Sequence, residues 1–252
     1  MGVLIVTGSS RGIGAEICRL AAARGWAVCV NYASSADEAE GVAAEIAGAG
    51  GSAIAVRADV SAPEDVESMF RKVDEQLGPV TGLVNNAGSM GSGGPVDELD
   101  AERTRRMFEV NTLGPFLCCQ AALKRMAKRH GGQGGAIVNI SSAAAKHGGP
   151  GSYVDYAASK AAVDTLTNGL AREQAAEGIR VNCVRPGAIM TEMNERWMTD
   201  HPDWLASVIA RTPLGRAGEV RDIATAALWL LSDEAKYVTG AILDVSGGWV
   251  TP

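Results

Sequence analysis

The chain lacks the long apolar runs and the excess of positive charge that mark two large classes of protein. No stretch approaches the ~18 consecutive apolar residues of a membrane helix. The 252 residues carry 23 Lys and Arg against 29 Asp and Glu, for a net charge of -6. A broad nucleic-acid interface needs clustered positive charge. The composition therefore argues against a membrane protein and against nucleic acid as a partner.

Metal-ligand and disulfide patterns are also missing. The three histidines are scattered through the chain, so we expect no metal. No basic segment followed by an apolar core precedes the first strand, which begins almost at Met1, so we expect a cytoplasmic protein. The cysteines lie in apolar segments without Cys-x-x-Cys spacing, which favours buried reduced thiols: Cys18, Cys29, Cys118, Cys119 and Cys183.

No linker, low-complexity tract or repeat of fixed period interrupts the chain. We therefore expect residues 1–252 to form a single domain, since α/β folds of this length are routinely undivided. Short apolar runs alternate with helical periodicity, and this predicts a doubly wound, parallel Rossmann-type sheet in three α/β/α layers, with ligands at the carboxyl ends of the strands. Strands are predicted at residues 3–6, 27–31, 52–56, 82–85, 136–141, 180–184 and 242–245.

Three helices can be bounded from the sequence. The run Ser61-Ala62-Pro63-Glu64 predicts a helix start at which Ser61 caps, Pro63 suits the first turn and Glu64 reaches back, and this helix continues through Leu77. Longer helices are predicted from about Phe108 to His130 and from Asp155 to Glu177.

A glycine-rich turn, Thr7-Gly8-Ser9-Ser10-Arg11-Gly12-Ile13-Gly14, joins the first strand to a helix. Glycine permits unusual backbone angles and lets phosphates approach the main chain, while helix amides point at the anion. The spacing Gly-x3-Gly-x-Gly departs from the commoner Gly-x-Gly-x-x-Gly, and no Gly-Lys-Ser/Thr follows. The turn predicts a dinucleotide cradle in preference to a nucleoside-triphosphate loop. A structural turn without a ligand is the alternative.

Tyr156 and Lys160 lie four residues apart in Tyr156-Ala157-Ala158-Ser159-Lys160, so one helical turn brings a phenol near an ammonium. A free phenol has a pKa of about 10, and a nearby cation lowers that pKa by favouring the ionised form. We interpret the pair as a proton donor that Lys160 tunes. Taken alone, the spacing is commoner as packing or as a solvated helix face.

Further motifs follow in order: Asp59-Val60, Asn85-Asn86-Ala87-Gly88, Asn111, Asn139-Ile140-Ser141-Ser142 and Pro186-Gly187. With the glycine turn and Tyr-x3-Lys, they make nearly the whole chain resemble the short-chain dehydrogenase/reductase family. The resemblance implies hydride transfer between a nicotinamide cofactor and a carbonyl or alcohol. In one departure, Ser142 lies fourteen positions before Tyr156, against the thirteen common in the family.

The resemblance assigns roles to four residues. Tyr156 is the general acid/base at the carbonyl oxygen, and Ser142 hydrogen-bonds that oxygen. Ser142 is preferred to Ser141 because the second serine of such a pair usually carries the role. Lys160 lowers the tyrosine pKa and holds the nicotinamide ribose, while Asn111 holds a water that links Lys160 to solvent. The alternative for Asn111 is an asparagine tolerated in a helix through local backbone hydrogen bonds.

The segment after the second strand, Asn31-Tyr32-Ala33-Ser34-Ser35, bears on the choice of cofactor. NAD-specific relatives place an acid there for the ribose 2′-hydroxyl, whereas a 2′-phosphate needs cations and hydroxyls. Since no acid follows the second strand until Asp37 and Arg11 lies in the glycine turn, we expect NADP, with NAD less favoured. Arg11 as a merely solvated residue is the alternative. The expected cofactor contacts are Gly8, Ser10, Arg11, Gly12, Ile13, Gly14, Asn31, Tyr32, Ala33, Ser34, Asp59, Val60, Asn86, Ala87, Gly88, Tyr156, Lys160, Pro186, Gly187, Ile189 and Thr191, with Asp59 accepting from the adenine amino group.

The substrate side is less defined by the sequence. Residues 192–216 form either a mobile lid over the substrate or ordinary amphipathic packing. His147, Tyr153 and Val154 are expected to face the substrate. The acids of this segment argue against a strongly anionic substrate: Glu192, Glu195, Asp200 and Asp203. Its apolar side chains could line the pocket: Met193, Trp197, Met198 and Trp204.

Three functions remain open. The first is an NADP-dependent reductase of small carbonyl compounds, or the reverse dehydrogenase. The second is a 3-oxoacyl-[acyl-carrier-protein] reductase, for which Arg129 suits an acidic carrier but Glu177 stands where many such enzymes have arginine. The third is a non-catalytic dinucleotide-binding scaffold or sensor, which the presence of Tyr156 and Lys160 disfavours. The long helices and the segment Val245–Trp249 resemble family interfaces and predict a homotetramer, with a dimer as the alternative.

Overall fold

The computed structural model describes residues 2–191 and 203–249, except the side chain of Trp204. Seven parallel strands form one sheet in the order β3-β2-β1-β4-β5-β6-β9. The strand order reverses between β1 and β4, which is where ligands bind in doubly wound sheets. The strands are β1 Val3–Val6, β2 Ala27–Tyr32, β3 Ser52–Arg57, β4 Val80–Asn85, β5 Gly135–Ile140, β6 Ile179–Pro186 and β9 Ile242–Val245; β7 Ile189–Met190 pairs with β8 Gly218–Glu219 in a small second sheet.

Helices cover both faces of the sheet. The α-helices are α1 Gly12–Ala23, α2 Ala36–Gly48, α3 Pro63–Gln76, α4 Ala101–Phe108, α5 Gly114–Met126, α6 Ala144–His147, α7 Val154–Gln174, α8 Asp203–Arg211 and α9 Val220–Leu231. Shorter 3-10 turns occupy Val96–Glu98, Lys128–His130, Ala175–Glu177 and Asp233–Ala235, and a π-helical turn occupies Glu109–Leu113.

Alternation along each strand builds two cores. In β1, Leu4 and Val6 pack under α1, α2 and α9, while Val3 and Ile5 pack under α3 and α5. Successive strand residues point to opposite faces of a sheet, so a strand that is buried throughout serves both cores. The predicted three-layer parallel architecture is confirmed.

The start of α3 differs from its sequence-based prediction. Its N-cap residue is Ala62, which makes no side-chain capping bond. The Ser61 hydroxyl instead donates to Asp59 Oδ1 at 2.7 Å, and Asp65 Oδ2 accepts from the Asp59 N–H at 2.9 Å. The expected Ser61 cap is wrong because α3 begins at Pro63, which makes Ala62 the N-cap residue. The Ser61 hydroxyl oxygen accepts from Arg106 Nη1 at 2.6 Å instead of from an N–H of the helix.

The helix predicted from about Phe108 to His130 is also not continuous. The π-helical turn Glu109–Leu113 separates α4 from α5, and α5 ends at Met126 before the 3-10 turn Lys128–His130. Asn111 therefore lies at an irregular backbone, where π turns often mark functional sites.

Three of the residues predicted to line a lid, Met193, Trp197 and Met198, lie outside the described residues, as does the Trp204 side chain. The later part of the same segment forms α8. Within residues 2–191 and 203–249, no helix is both long and apolar enough to traverse a bilayer.

Candidate active site

A cleft of about 1040 Å³ opens beyond the carboxyl ends of the central strands. It brings together many of the residues expected from the sequence: Ile13, Asn86, Gly88, Ser142, Tyr156, Lys160, Pro186, Gly187, Ile189 and Thr191. The other expected positions are not part of its lining: Gly8, Ser10, Arg11, Gly12, Gly14, Asn31, Tyr32, Ala33, Ser34, Asp59, Val60, Ala87 and Asn111.

Hydrogen bonds from the next strand fix the glycine turn after β1. The Thr7 hydroxyl accepts from the backbone N–H groups of Asn86 and Ala87, each at 3.0 Å. The Asn86 amide donates in turn to the carbonyls of Thr7 and Gly8, at 3.0 and 2.9 Å. The two strand ends that flank the reversal of sheet order are therefore locked together.

Asn31 is buried and holds the same turn from the other side. Its Oδ1 accepts from the Gly8 N–H at 3.0 Å, and its Nδ2 donates to the Ala58 carbonyl at 3.1 Å. The Ser9 hydroxyl accepts from the Asn31 N–H at 3.0 Å. Asn31 thus helps to build the cradle, a role that the sequence did not indicate, and its expected cofactor contact stays a prediction.

Two glycines show how the turn fits a ligand that carries phosphates. Gly8 has φ +60°, and a Cβ there would lie 2.7 Å from Ala87 Cα, so no side chain fits. Gly12 has φ +57°, and the nearest described atom to a Cβ there is Thr191 Cγ2 at 4.0 Å. The space over Gly12 is open at the start of α1, where helix amides favour an anion.

The residues expected to select the cofactor lie on the surface. Arg11 is exposed and stands just before α1 with an extended backbone, φ -156° and ψ 176°. Ala33 and Ser34 are exposed after β2, and Tyr32 is half-buried. Together these four residues supply one guanidinium, from Arg11, and two hydroxyls, from Tyr32 and Ser34, and none of the four is an acid.

Asp59 has partners that sequence reasoning missed. Its Oδ1 accepts from the Ser61 N–H at 3.0 Å, and its Oδ2 pairs with Arg106 Nη2 at 2.6 Å. Val60 is buried, and a Cβ added at Gly114 would lie 2.8 Å from Val60 Cγ2. The carboxylate expected to bind adenine is therefore held in place by a cation from α4.

Helix α7 carries Tyr156 and Lys160 into the cleft. Lys160 Nζ lies 5.8 Å from the centre of the Tyr156 ring and donates to the Ile140 carbonyl at 2.9 Å. Ser142 lines the cleft with Tyr156, and its side chain acts to lower the Tyr156 pKa. The Ser141 hydroxyl, in contrast, is buried and donates to the Lys160 carbonyl at 3.0 Å. Of the two serines, Ser142 is therefore the one whose side chain acts on the phenol.

Burial dominates the electrostatics of this pair. It raises the pKa of Tyr156, although the Ser142 side chain acts in the opposite direction. Burial also lowers the pKa of Lys160 to about 8. The Tyr156 pKa therefore shifts opposite to the direction expected from a neighbouring cation, because removal from water penalises the charged form of both groups.

Asn111 is fully buried in the π-helical turn and links three segments. Its Oδ1 accepts from the Ser89 N–H at 2.8 Å, and its Nδ2 donates to the Ser89 carbonyl at 2.8 Å and to Ser159 Oγ at 3.0 Å. These partners lie 22 and 48 residues away. The alternative of local backbone bonds within a helix is therefore wrong for this side chain, which ties the loop after β4 to α7.

An ion pair beneath the site was not predicted. Arg103 Nη1 lies 2.5 Å from Asp155 Oδ2, and Arg103 Nη2 donates to the Met90 carbonyl at 3.1 Å. Asp155 Oδ1 accepts from the Tyr156 N–H at 2.8 Å. The partners are 52 residues apart in the chain, and no local pattern signals such a pair.

The substrate side of the cleft has an aromatic wall. The Tyr153 ring lies 6.2 Å from that of Tyr156 and 6.1 Å from His147, and His147 lies 5.4 Å from Trp249. The Arg211 guanidinium lies over Trp249 at 5.4 Å. His147 and Tyr153 line the cleft, as expected, whereas Val154 does not. Arg211 and Trp249 were missed because they lie far along the chain.

Other predicted features can be located. Arg129, considered for carrier docking, forms an ion pair with Glu177 at 3.2 Å, and its N–H donates to the same carboxylate at 2.8 Å. All five cysteines are buried and free, which confirms that prediction. Across the described ranges, no group of three or more His, Cys, Asp or Glu residues could hold a metal.

A parallel doubly wound sheet, a glycine cradle at its switch point and a Ser-Tyr-Lys group in the adjoining cleft define a class of dinucleotide-dependent oxidoreductase. Comparison with known proteins gives the family. A family model described as "Enoyl-(Acyl carrier protein) reductase" matches residues 8–250. The chain belongs to the short-chain dehydrogenase/reductase family and is an oxidoreductase acting on CH-OH or C=O groups.

Two relatives illustrate the range of the family. The chain is 48% identical over 248 residues to the uncharacterized oxidoreductase YgfF of Escherichia coli (strain K12), covering 98% of this chain and 100% of that protein. It is 38% identical over 244 residues to the 3-oxoacyl-[acyl-carrier-protein] reductase FabG of Staphylococcus epidermidis, covering 97% of each.

Solved structures agree with the fold. A short-chain dehydrogenase/reductase from Serratia marcescens superposes with a TM-score of 0.89 at 36% identity, covering 99% of this chain and 98% of that one. A blue fluorescent protein from a metagenomic library, in complex with NADPH, gives a TM-score of 0.89 at 39% identity, with the same coverage.

Proposed function

We propose that this oxidoreductase uses NADP(H) to interconvert a small carbonyl compound and its alcohol, with Tyr156 as the general acid/base. The observation that carries the proposal is that Ser142, Tyr156 and Lys160 line one cleft, with Lys160 Nζ 5.8 Å from the centre of the Tyr156 ring. In this proposal residues 1–252 form one domain, because the glycine turn and the Ser142, Tyr156 and Lys160 side chains adjoin the same sheet.

The cofactor site fits a dinucleotide because the open space over Gly12 adjoins the amides of α1. When bound, the nicotinamide supplies or accepts the hydride. In our proposal the glycine turn and Asn86 to Gly88 hold the adenosine and pyrophosphate portions. Lys160 and the segment Pro186 to Thr191 hold the nicotinamide end.

The chain's own residues then handle the proton. In the reducing direction Tyr156 donates its proton to the carbonyl oxygen, and the Ser142 hydroxyl donates a hydrogen bond to the same oxygen as negative charge develops there. A neutral phenol with a raised pKa is the donor form near pH 7. Lys160 and Asn111 lie on the side from which the proton would be resupplied.

The test is NADPH oxidation over 1,2-diketones, aldoses, aromatic ketones and 3-oxoacyl thioesters, by the wild type and by Tyr156→Phe. General acid catalysis contributes about 10²- to 10⁴-fold, so Tyr156→Phe is expected to lower kcat by that range while NADPH binding stays near normal. Tyr237→Phe, at a fully exposed tyrosine, is the matched control. Full activity of Tyr156→Phe would disprove the assignment.

The preference for NADP rests on Arg11 and on the absence of an acid from Asn31 to Ser35. Arg11→Ala is expected to weaken NADPH binding by about 10-fold or more, because a charge-assisted contact to the 2′-phosphate is lost, and to leave NADH binding unchanged. Arg24→Ala, at another exposed arginine, controls for net charge. Titration by fluorescence measures both affinities. Equal weakening of NADPH and NADH would instead assign Arg11 to the shared pyrophosphate or to the turn.

A second candidate is a 3-oxoacyl-[acyl-carrier-protein] reductase, favoured by the 38% identity to the Staphylococcus epidermidis enzyme of that name. The pairing of Arg129 with Glu177 argues against it, because the cation is already neutralised where an acidic carrier would dock. Preferred turnover of the thioester would revive this candidate. Binding of NADPH without turnover of any substrate would favour a scaffold or sensor.

We further propose a cytoplasmic homotetramer. Five buried free thiols suit a reducing compartment. An exposed apolar patch on α4, the π turn and α5, comprising Phe108, Leu113 and Phe116, suits contact with a second copy of the chain.

A further inference from the structure

The cleft has a second polar feature, at the far end of the aromatic wall from Tyr156. Successive ring contacts run from Tyr156 to Tyr153, from Tyr153 to His147 and from His147 to Trp249. The Arg211 guanidinium lies over the Trp249 ring, 5.4 Å from its centre. Three successive ring contacts therefore lead from the Tyr156 phenol to the Trp249 ring beneath this cation.

Arg211 is held at the end of α8 by the preceding turn. Its Nε donates to the Ser207 carbonyl at 3.1 Å, and its Nη2 donates to Ser207 Oγ at 3.4 Å. A guanidinium has five N–H donors in one plane, so these bonds and the Trp249 stack fix that plane while leaving donors for a further acceptor. Such a planar fork matches a carboxylate.

Charge in the cleft favours an anion. Among the described residues that line it, Lys146, Lys160 and Arg211 are cationic, and none is Asp or Glu. Lys146 is paired with Asp244 at 3.5 Å, so Lys160 and Arg211 contribute most of this charge. Asp203 is exposed at the start of α8 and does not line the cleft. Glu192, Glu195 and Asp200 lie outside the described residues. The acids of residues 192–216 were expected to disfavour an anionic substrate, and the position of Asp203 outside the cleft lining does not support that expectation.

His147 adds a neutral donor beside Arg211. Its Nδ1 accepts from the Gly149 N–H at 3.2 Å, which assigns the imidazole proton to Nε2. Burial lowers the His147 pKa, and the Arg211 charge acts in the same direction, so the ring is neutral near pH 7. A neutral ring in the wall offers its Nε2–H and an apolar face without adding a charge.

We propose that Arg211, stacked on Trp249 and assisted by His147, is an anion subsite that binds the carboxylate of the substrate. The substrate class is then an oxo acid, or the matching hydroxy acid, whose reacting group and carboxylate lie at opposite ends of an apolar or aromatic body. The carboxylate is bound unchanged, while the carbonyl gains the hydride and the Tyr156 proton to become the alcohol. This subsite deepens the proposed function and rests on it.

The test compares three substrates with one body: 4-acetylbenzoate, its methyl ester and its primary amide. Wild-type kcat/KM is expected to be about 10- to 100-fold higher for the acid than for the amide, the range for hydrogen bonds to charged groups. Arg211→Gln should bring that ratio near one, mostly through KM, and Arg211→Lys should restore part of it. Arg71→Gln, at an exposed arginine of α3, should leave the ratio unchanged.

Two results would overturn the subsite: a wild-type ratio near one, or an Arg211→Gln variant that loses acid and amide activity equally. A binding measurement separates this failure from that of the proposed function. Calorimetric titration of the NADP-saturated protein with benzoate and with benzamide is expected to show benzoate binding that Arg211→Gln abolishes. If the wild type reduces none of the three ketones, the proposed chemistry fails and this titration alone decides the subsite, which equal affinities for benzoate and benzamide would refute.

Discussion

At the scale of single residues, Lys160 shows how burial governs the site. Its ammonium is buried against the Ile140 carbonyl, 5.8 Å from the Tyr156 ring centre, and its pKa falls to about 8. The ordinary lysine value is 10.5. An amine with a pKa near 8 exchanges protons readily close to neutrality, which suits a group that resupplies a neighbouring phenol.

The lowered Lys160 pKa predicts how stability changes with pH in the chain without cofactor. Between about pH 8 and pH 10.5 the unfolded state binds more protons at this residue than the folded state does. The free energy of unfolding therefore increases as the pH rises through this range. The gain is on the order of 3 kcal/mol. Urea unfolding from pH 7 to pH 10.5 should show this rise in the wild type relative to Lys160→Met.

Lys72→Met provides the control for this prediction, because Lys72 is exposed on α3. The control should follow the wild type over the whole pH range. Parallel pH profiles for the wild type and Lys160→Met would contradict the lowered pKa.

At the scale of elements, the pair Arg103–Asp155 couples α4 to the start of α7. The Arg103 side chain is 18% exposed and that of Asp155 is 4% exposed, so neither charge is fully solvated when its partner is lost. Arg103 also holds the Met90 carbonyl in the loop that lines the cleft. The pair therefore positions both the catalytic helix and one wall of the cleft.

Breaking this pair should be costly. Arg103→Met and Asp155→Asn are each expected to lower the free energy of unfolding by roughly 3 kcal/mol, because each leaves a buried partner unmatched. The decrease in the free energy of unfolding of the double variant should be much smaller than the sum of the decreases in the two single variants. Urea titrations of all four proteins measure the coupling. Additive losses would show that the two residues stabilise the fold independently.

The elements also show what the sequence could predict. Every predicted strand of the main sheet is present, with ends shifted by at most two residues, because strand burial and helical periodicity are local signals. The Tyr156–Lys160 pair and the glycine turn were found because each is contiguous in the chain. Asn31, Arg103 and Arg211 were missed or misassigned because their contacts join segments far apart in sequence. The π turn was missed since its extra residue leaves helical composition unchanged.

At the scale of the whole molecule, the apolar patch of Phe108, Leu113 and Phe116 is the feature that bears on assembly. These side chains are 37%, 44% and 50% exposed, and they lie beside one another around a shallow depression. Burying them against a second copy would remove apolar surface from water. A contact at this patch would bear on the proposed active site, because the π turn that carries Leu113 also carries Asn111.

A charge placed in the patch should therefore disrupt assembly. For the proposed homotetramer we expect a wild-type mass in solution of four times the 26.0 kDa chain. Phe116→Glu is expected to give a smaller mass, because an interface cannot bury an unpaired carboxylate. Size-exclusion chromatography with light scattering measures this mass. Tyr237→Glu, at a fully exposed side chain outside the patch, should leave the mass unchanged. An unchanged mass for Phe116→Glu would exclude the patch as an interface.

The π-helical turn Glu109–Leu113 also fixes the number of residues that can separate α4 from α5. Each residue of an α-helix advances the side-chain direction by about 100°, and a π turn accommodates one residue more than an α turn. That extra residue sets the angle at which α5 follows α4, so that Gly114 faces Val60 where no Cβ fits. A single-residue deletion between residues 109 and 113 would convert the π turn into an ordinary α turn. Helix α5 would keep its register, but Asn111 would be displaced from its bonds to Ser89 and Ser159. Substitutions on the exposed face of this segment should therefore be tolerated far better than any change in its length.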